Sequence, residues 1–343
     1  MKKNILLIGP YSAVGGVSIH IKRLSNLLAS NFTCLYVDES PIKEDENEVF
    51  NLRSLNLIKY FKLVNRSDYV HIHSGLWWLR AFHVLVSGFL FGKTTILTIH
   101  SLGKSRGRIS LFATKVSAYL ATQTVVVSEE IYAIINCRKA LIKPAFIPPN
   151  MKEEDDLPFE VSQLLDNNKS KKIIIGNAFK LSMYDGLDLY GLDLLLELAI
   201  KIKQFSLNYK IIFVVASVSE NDSLLIKYKL LIEKNTLERY LTIIPYKISF
   251  VRLILRSDLV VRPTCSDGDA LTIREALFLG KPVIASDVVI RPENTILFKN
   301  RDVDDLFLTV TRVLGNLNDE SKGLNANKHN FEILKQGFIS IYK

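Results

Sequence analysis

Short, wholly apolar runs alternate with stretches in which apolar residues recur every three or four positions, and the rhythm persists along nearly the whole chain. In the first half the short runs are NILLIG (4–9), TCLYVD (33–38), DYVHIH (68–73), TTILTIH (94–100) and TVVVS (124–128). Runs this short and this uniformly apolar fit strands buried on both faces. Between them lie helix-spaced segments such as 17–30, where Val17, Ile21, Leu24 and Leu28 fall on one helical stripe. The second half repeats the pattern with KIIIGNA (172–178), YKIIFVVAS (209–217), YLTIIPY (240–246), SDLVVRP (257–263) and KPVIASD (281–287). Strand and helix in alternation predict parallel sheets covered by helices, an α/β fold.

The two halves meet at KPAFIPPNMKEEDDLPFE (143–160), where four prolines and an acidic run resist packing and predict an exposed connection. Two Rossmann-like domains follow, residues 1–150 and 151–325, with 326–343 expected as a C-terminal helix returning to pack on the first domain. Ligands in open α/β sheets bind beyond the carboxyl ends of the strands, so the two domains are expected to face a central cleft.

Composition narrows the function classes. The 343 residues are 48% hydrophobic and 23% charged, as in soluble globular proteins. The longest apolar segment, Leu76 to Gly92, is interrupted by Arg80 and His83 and falls short of the roughly 20 residues that span a bilayer. It reads as a buried helix, with a helix partly facing lipid as the alternative. The N-terminal MKKNILLIGPYS carries too short an apolar run for a signal peptide and reads as a first strand. Cys34, Cys137 and Cys265 have neither disulfide-framework nor metal-site spacing, which points to the cytoplasm. The net charge of +9 has no cluster denser than GKSRGR (103–108), too little for a nucleic-acid partner. It suits an anionic membrane surface or a bound diphosphate equally.

Two stretches carry chemistry. Gly15 and Gly16 open the first helix and let a ligand approach free backbone N–H groups, although neither a dinucleotide fingerprint nor a P-loop is present. The second stretch is SDGDALTIREALFLGKPVIASD (266–287), whose helix is expected to begin at Asp269 or Ala270 and stop at Gly280. Asp269 as a helix cap and a DGD metal site are open alternatives. A hard cation needs several oxygen ligands, and no further carboxylate lies nearby in sequence. In the remaining reading the amides of 269–272 form an anion pocket. Glu275 then lies roughly 7.5 Å along the helix, the reach from a diphosphate to its ribose. Asp267 falls on the other side, toward an attached sugar.

This stretch resembles the nucleotide-sugar motif of retaining GT-B glycosyltransferases of the large family-four type, with Asp267 and Glu275 at its two acidic positions. The Gly15-Gly16-Val17 loop, DYVHIHS (68–74), TILTIHS (95–101), YGLDLLLELA (190–199) and a tail ending at Tyr342 follow in the family's order. The resemblance implies a GT-B fold, same-face sugar transfer from a nucleoside diphosphate sugar (UDP- or GDP-linked), and no metal or cofactor. It implies His100 and Asp267 as catalytic residues, His100 beside the reacting sugar. Gly15, Gly16, Asn177, Lys180, Arg262, Gly268, Asp269, Ala270, Leu271 and Glu275 would bind the donor. The acceptor would be a glycan or lipid-linked glycan at the cytoplasmic face of a bacterial inner membrane, as in surface polysaccharide synthesis. A nucleotide-sugar 2-epimerase and a non-catalytic nucleotide-sugar-binding subunit are the alternatives.

The chain departs from the family at the two cations that grip the diphosphate. Asn177 stands for the usual Arg and Tyr190 for the usual Lys, leaving Lys180 or Arg262 as replacements. His71 and His73 are read as facing opposite sides of their strand, with neither catalytic, and Trp77 and Trp78 as packing anchors.

Overall fold

The computed structural model describes residues 2–13, 15–41, 48–102, 107–219, 221–268, 270–316 and 336–342. Asp269, Lys104 and Arg106 lie outside them. The chain forms two units, Met1–Ile147 with Phe331–Lys343, and Pro148–Asn330.

In the first unit the elements run β1 (Lys3–Gly9), α1 (Gly16–Leu28), β2 (Phe32–Asp38), β3 (Val49–Asn51), α2 (Leu57–Arg66) and β4 (Tyr69–Ile72). Then come α3 (Trp77–Val84), a π-helical segment (Leu85–Leu90), β5 (Thr94–Ile99), α4 (Arg108–Leu120), β6 (Gln123–Val126), α5 (Glu129–Ile135) and β7 (Ala140–Ile142). The seven strands pair in the order β3-β2-β1-β4-β5-β6-β7, every pair parallel. The second unit holds α6 (Phe159–Asp166), β8 (Lys172–Ala178), the hairpin β9 (Met183–Tyr184) and β10 (Leu187–Asp188), α7 (Leu192–Gln204), β11 (Tyr209–Val215) and α8 (Ser223–Lys234). It continues with β12 (Leu241–Ile244), α9 (Phe250–Leu255), β13 (Leu259–Arg262), α10 (Leu271–Phe278), β14 (Val283–Ser286), β15 (Ile296–Phe298) and α11 (Val303–Gly315). Its parallel sheet has the order β12-β11-β8-β13-β14-β15.

Continuous apolar runs form these strands because each strand feeds two cores. Leu6 and Ile8 join one cluster while Ile5 and Leu7 join another on the opposite face. In the second unit Ile174, Ile211, Phe213 and Val261 pack on one side, and Ile173, Ile175, Ile212 and Val260 on the other. Side chains alternate across a strand, so a polar residue at either parity would face apolar neighbours. At the chain's end Phe338 and Tyr342 pack with Ile5, Leu7 and Ile21.

Three expectations need correction. The 143–160 connection is not exposed throughout, since Phe146, Ile147, Pro148 and Pro149 are buried. Further on, Arg252 donates to the carbonyls of Met151 and Glu154, while Lys152, Glu153, Asp155 and Asp156 are exposed, as the acidic run predicts. The Leu76–Gly92 segment is not a buried helix. Arg80, 2% exposed, donates to the carbonyls of Ser74 and Ser101 and to the Thr114 hydroxyl. His83 is buried between the Tyr60 hydroxyl and Glu39, while Trp78, Leu85, Phe89 and Leu90 are exposed. Leu79, Val84 and Val86 are buried beside Arg80 and His83, so the segment buries one mixed face and exposes a second, apolar one. Lastly, His71 and His73 share a side, their ring centres 4.1 Å apart, because positions two apart on a strand face the same way.

Candidate functional site

Each sheet has one place where the strand order reverses, and in each the residues singled out above gather there. In open parallel sheets such a switch point leaves a crevice beyond the strand ends.

In the second unit the reversal lies between β8 and β13. Asn177 sits near the end of β8, and its side-chain carbonyl accepts from the Thr272 hydroxyl at 3.2 Å. Arg262 ends β13. Its guanidinium lies 5.2 Å from the ring centre of Tyr190 and donates to the Asn177 backbone carbonyl at 3.4 Å. The cation thus touches both positions where the resembled family keeps its own cations. Lys180 is exposed.

Asp267 is fully engaged by protein groups. Arg262 Nε and Nη2 donate to its two oxygens at 3.1 and 3.2 Å, and Arg291 Nη1 donates at 2.8 Å. The Thr264 hydroxyl and the Gly268 amide also donate to it. Burial pushes this carboxyl up, but Arg262 and Arg291 outweigh burial and hold it below the usual carboxylate range. Arg291 is 2% exposed in its side chain and is locked further by the Ser286 carbonyl and hydroxyl. Two guanidinium groups against one carboxylate leave the cluster with one net positive charge. Sequence reading missed Arg291, which follows β14 in an unpatterned VVIRPEN stretch; its only signal is an arginine before proline just past a strand.

Helix α10 begins beside this cluster. Its N-cap residue, Ala270, has no side-chain acceptor, whereas α8, α9 and α11 are capped by Asp222, Ser249 and Asp302. The first-turn amides of Leu271 and Thr272 therefore keep their partial positive charge for an anion. Glu275 lies one turn along and is buried. The helix ends where Gly280 adopts φ +74 and the Lys281 amide bonds the Ala276 carbonyl, a glycine stop. A second approach is built by Gly191, the N-cap of α7, at φ +71; a Cβ there would lie 2.1 Å from the Pro263 carbonyl oxygen. Asp188 fixes this turn by accepting from the amides of Tyr190 and Gly191 and from the Tyr228 hydroxyl. Burial raises the pKa of Asp188, against the lowering effect of those bonds.

In the first unit the order reverses between β1 and β4. Helix α1 starts there at Gly15, φ +155, without a side-chain cap, and a Cβ on Gly15 or Gly16 would meet nothing within 4 Å. His73 follows β4, His100 follows β5, and His20 projects from α1; their ring centres form a triangle of 5.2, 4.8 and 5.3 Å. His20 Nδ1 bonds the Ala145 carbonyl at 2.6 Å, and His73 Nδ1 shares a hydrogen bond of 3.0 Å with His100 Nε2. Burial lowers all three: His20 to about 4, His73 and His100 well below the ordinary histidine value. His71 lies behind them, both nitrogens used by Tyr342 and Thr98. His20 was missed because a histidine on an amphipathic helix looks like any other polar position.

The described parts of the expected donor site, Asn177, Arg262, Asp267, Gly268, Ala270, Leu271 and Glu275, thus converge at one switch point, while Gly15, Gly16 and His100 converge at the other. No family model matches the chain, and no curated protein matches it. Solved structures do. Anabaena HepE in complex with UDP and glucose aligns with a TM-score of 0.69 at 13% identity, over 99% of this chain and 97% of HepE. Sucrose-phosphate synthase of Thermosynechococcus elongatus aligns at 0.71 and 18% identity, over 99% and 98% of the two chains. A Rickettsia africae glycosyltransferase aligns at 0.70 and 15% identity, over 100% and 98%. The chain has the α/β fold of these proteins from end to end.

Proposed function

We propose that this GT-B chain is a glycosyltransferase that moves a sugar from a nucleoside diphosphate sugar to an acceptor hydroxyl. The observation that carries this reading is the second unit's switch point. An uncapped helix start, a net-positive arginine cluster and a buried carboxylate one turn further on suit a diphosphate with its ribose. The likeness to HepE, which holds UDP and glucose, makes UDP the first nucleotide to try.

In this reading the amides of Leu271 and Thr272 and the Arg262 guanidinium take the diphosphate, and Glu275 accepts from the ribose hydroxyls. Arg262 is favoured over Lys180 because it bridges the two positions that lack the family's cations. Asp267 holds Arg262 and Arg291 in place while its neighbours Gly268 and Asp269 meet the sugar. Fixed donors aimed at the leaving diphosphate stabilise the charge that develops as the sugar departs. The resemblance supplies the rest of the mechanism: retention of configuration, with the leaving phosphate oxygen taking the acceptor's proton, and no metal bridging the phosphates.

One surface supports an acceptor held at a membrane. Among the described residues no helix is long and apolar enough to cross a bilayer. Yet α3, the π-helical segment and α4 expose Trp78, Leu85, Phe89, Leu90, Ile109, Phe112, Val116 and Tyr119. Phe89 is 91% and Phe112 70% exposed. Arg108, Lys115 and Lys139 stand among them, Lys139 within 5.7 Å of the Tyr119 ring centre. An apolar face edged by cations fits the interface of an anionic bilayer.

The test is a thermal-shift screen of UDP, GDP and their sugars in EDTA. One nucleotide class at 100 times its dissociation constant should stabilise the protein by about 2.7 kcal/mol. Stabilisation only with Mg²⁺ or Mn²⁺ would refute the metal-free grip. Turnover then separates the activities: interconversion of the sugar without acceptor marks an epimerase, and binding without turnover under any acceptor marks a binding subunit.

A further inference from the structure

The three histidines at the first unit's switch point, His100 among them, lie close enough to hold one metal ion. Three imidazoles on one tetrahedral ion, with metal–nitrogen bonds of about 2.0–2.1 Å, place their ring centres roughly 5.2 Å apart. The observed separations are 5.2, 4.8 and 5.3 Å. One nitrogen from each ring lies within 4.8 Å of the others, and His73 Nδ1 and His100 Nε2 are already at 3.0 Å. Two ligands of a tetrahedral ion sit about 3.3 Å apart, so small ring rotations close the set.

The surroundings also match. His20 donates its Nδ1 proton to the Ala145 carbonyl, which leaves the Nε2 lone pair for the cluster. Metal-bound histidines are oriented by this kind of carbonyl bond. His73 turns its Nδ1 toward His100 Nε2, and among the described residues its buried Nε2 has no hydrogen-bond partner. His71, with both nitrogens engaged, is excluded as a ligand. No carboxylate belongs to the set, which disfavours Mg²⁺ and Ca²⁺ and favours an ion that prefers imidazole.

We propose that His20, His73 and His100 bind a divalent transition-metal ion of the zinc class, with a fourth coordination position left for water or ligand. The site departs from the metal-free expectation drawn from sequence. It does not depend on the transferase reading. It joins α1 to the ends of β4 and β5, so the bound ion cross-links three elements of one unit.

The test uses the full chain, tag-free and EDTA-stripped, titrated with Zn²⁺ by calorimetry and with Co²⁺ by visible absorption. One equivalent should bind, and Co²⁺ should give the intense d–d bands of a tetrahedral site without a thiolate charge-transfer band. His20→Gln, His73→Gln and His100→Gln should each lower affinity by roughly 100-fold or more, beyond the 10–100-fold that outer-shell changes cost. His83→Gln, whose ring is held by Tyr60 and Glu39, should leave it unchanged. If one of the three variants fails to fold, the wild-type Co²⁺ spectrum and the half-buried His100 position still decide. No wild-type binding at micromolar Zn²⁺, a thiolate band, or affinity that survives His100→Gln would overturn the proposal.

Discussion

Arg262 touches two sequence positions at once. Its guanidinium lies between Tyr190 and the backbone of Asn177, and Asp267 holds it through two nitrogens. Hydrogen bonds to charged groups contribute about 1.5–3 kcal/mol, roughly 10- to 100-fold in affinity. Arg262→Gln should therefore weaken UDP and UDP-sugar binding alike by that factor in calorimetry, and Lys180→Gln should change neither by more than about twofold. The reverse ranking would return the role to Lys180. The histidines support a second prediction. His20 titrates at 6.5 in an unfolded chain and at about 4 here, mainly through burial. Below pH 6.5 the unfolded chain binds a proton that the folded chain refuses, so stability is full above that value and falls toward pH 4. His20 alone accounts for roughly 3 kcal/mol of that loss, and His73 and His100 act in the same direction. Urea midpoints should drop from pH 7 to pH 5 in metal-free buffer, and less so in His20→Phe; midpoints flat over that range would contradict the burial argument.

At the scale of elements, the turn before α7 is tightly constrained. Gly191 needs φ +71, faces the Pro263 carbonyl, and has its amide held by Asp188. An alanine there would carry left-handed strain of about 1–3 kcal/mol and a clash as well. Gly191→Ala should lower the urea midpoint by more than that strain alone, and UDP should restore little of it, because the loop carrying Tyr190 shifts with the turn. The DG hairpin between β9 and β10 is a milder case. Asp185 and Gly186 both have positive φ, as a tight hairpin turn requires.

For the molecule as a whole, the proposed membrane contact rests on the exposed apolar residues of α3, the π-helical segment and α4. A soluble helix buries its apolar face, but here Arg80 and His83 are buried while Phe89 and Phe112 stand in solvent. Vesicles with anionic lipid should bind the protein at low salt and release it as salt rises, since surface attraction is screened over about 8–10 Å. Phe89→Asp with Phe112→Asp should abolish binding, because burying each phenylalanine is worth about 1.5–3 kcal/mol. Arg108→Ser should reduce only the salt-sensitive part. Wild-type protein that ignores anionic vesicles at low salt would favour a soluble acceptor.

The ten longer strands, the two-sheet α/β plan and the helix stop at Gly280 were legible in the sequence, because local apolar period and glycine geometry determine them. Strands β3, β7 and β15 were not, since three residues carry no period and form only where a neighbouring edge offers hydrogen bonds. The acidic pair Asp267 and Glu275 could be found from spacing, but their surroundings could not. Arg291 reaches Asp267 across 24 positions of sequence, and its charge decides whether that carboxylate is free to meet a sugar. The same holds for His20, His73 and His100, spread over 80 residues and joined only where β1, β4 and β5 lie side by side. Local pattern encodes which elements form. Electrostatics and ligand sets depend on side chains that meet only after the sheet is assembled, and there the tertiary structure alone decided.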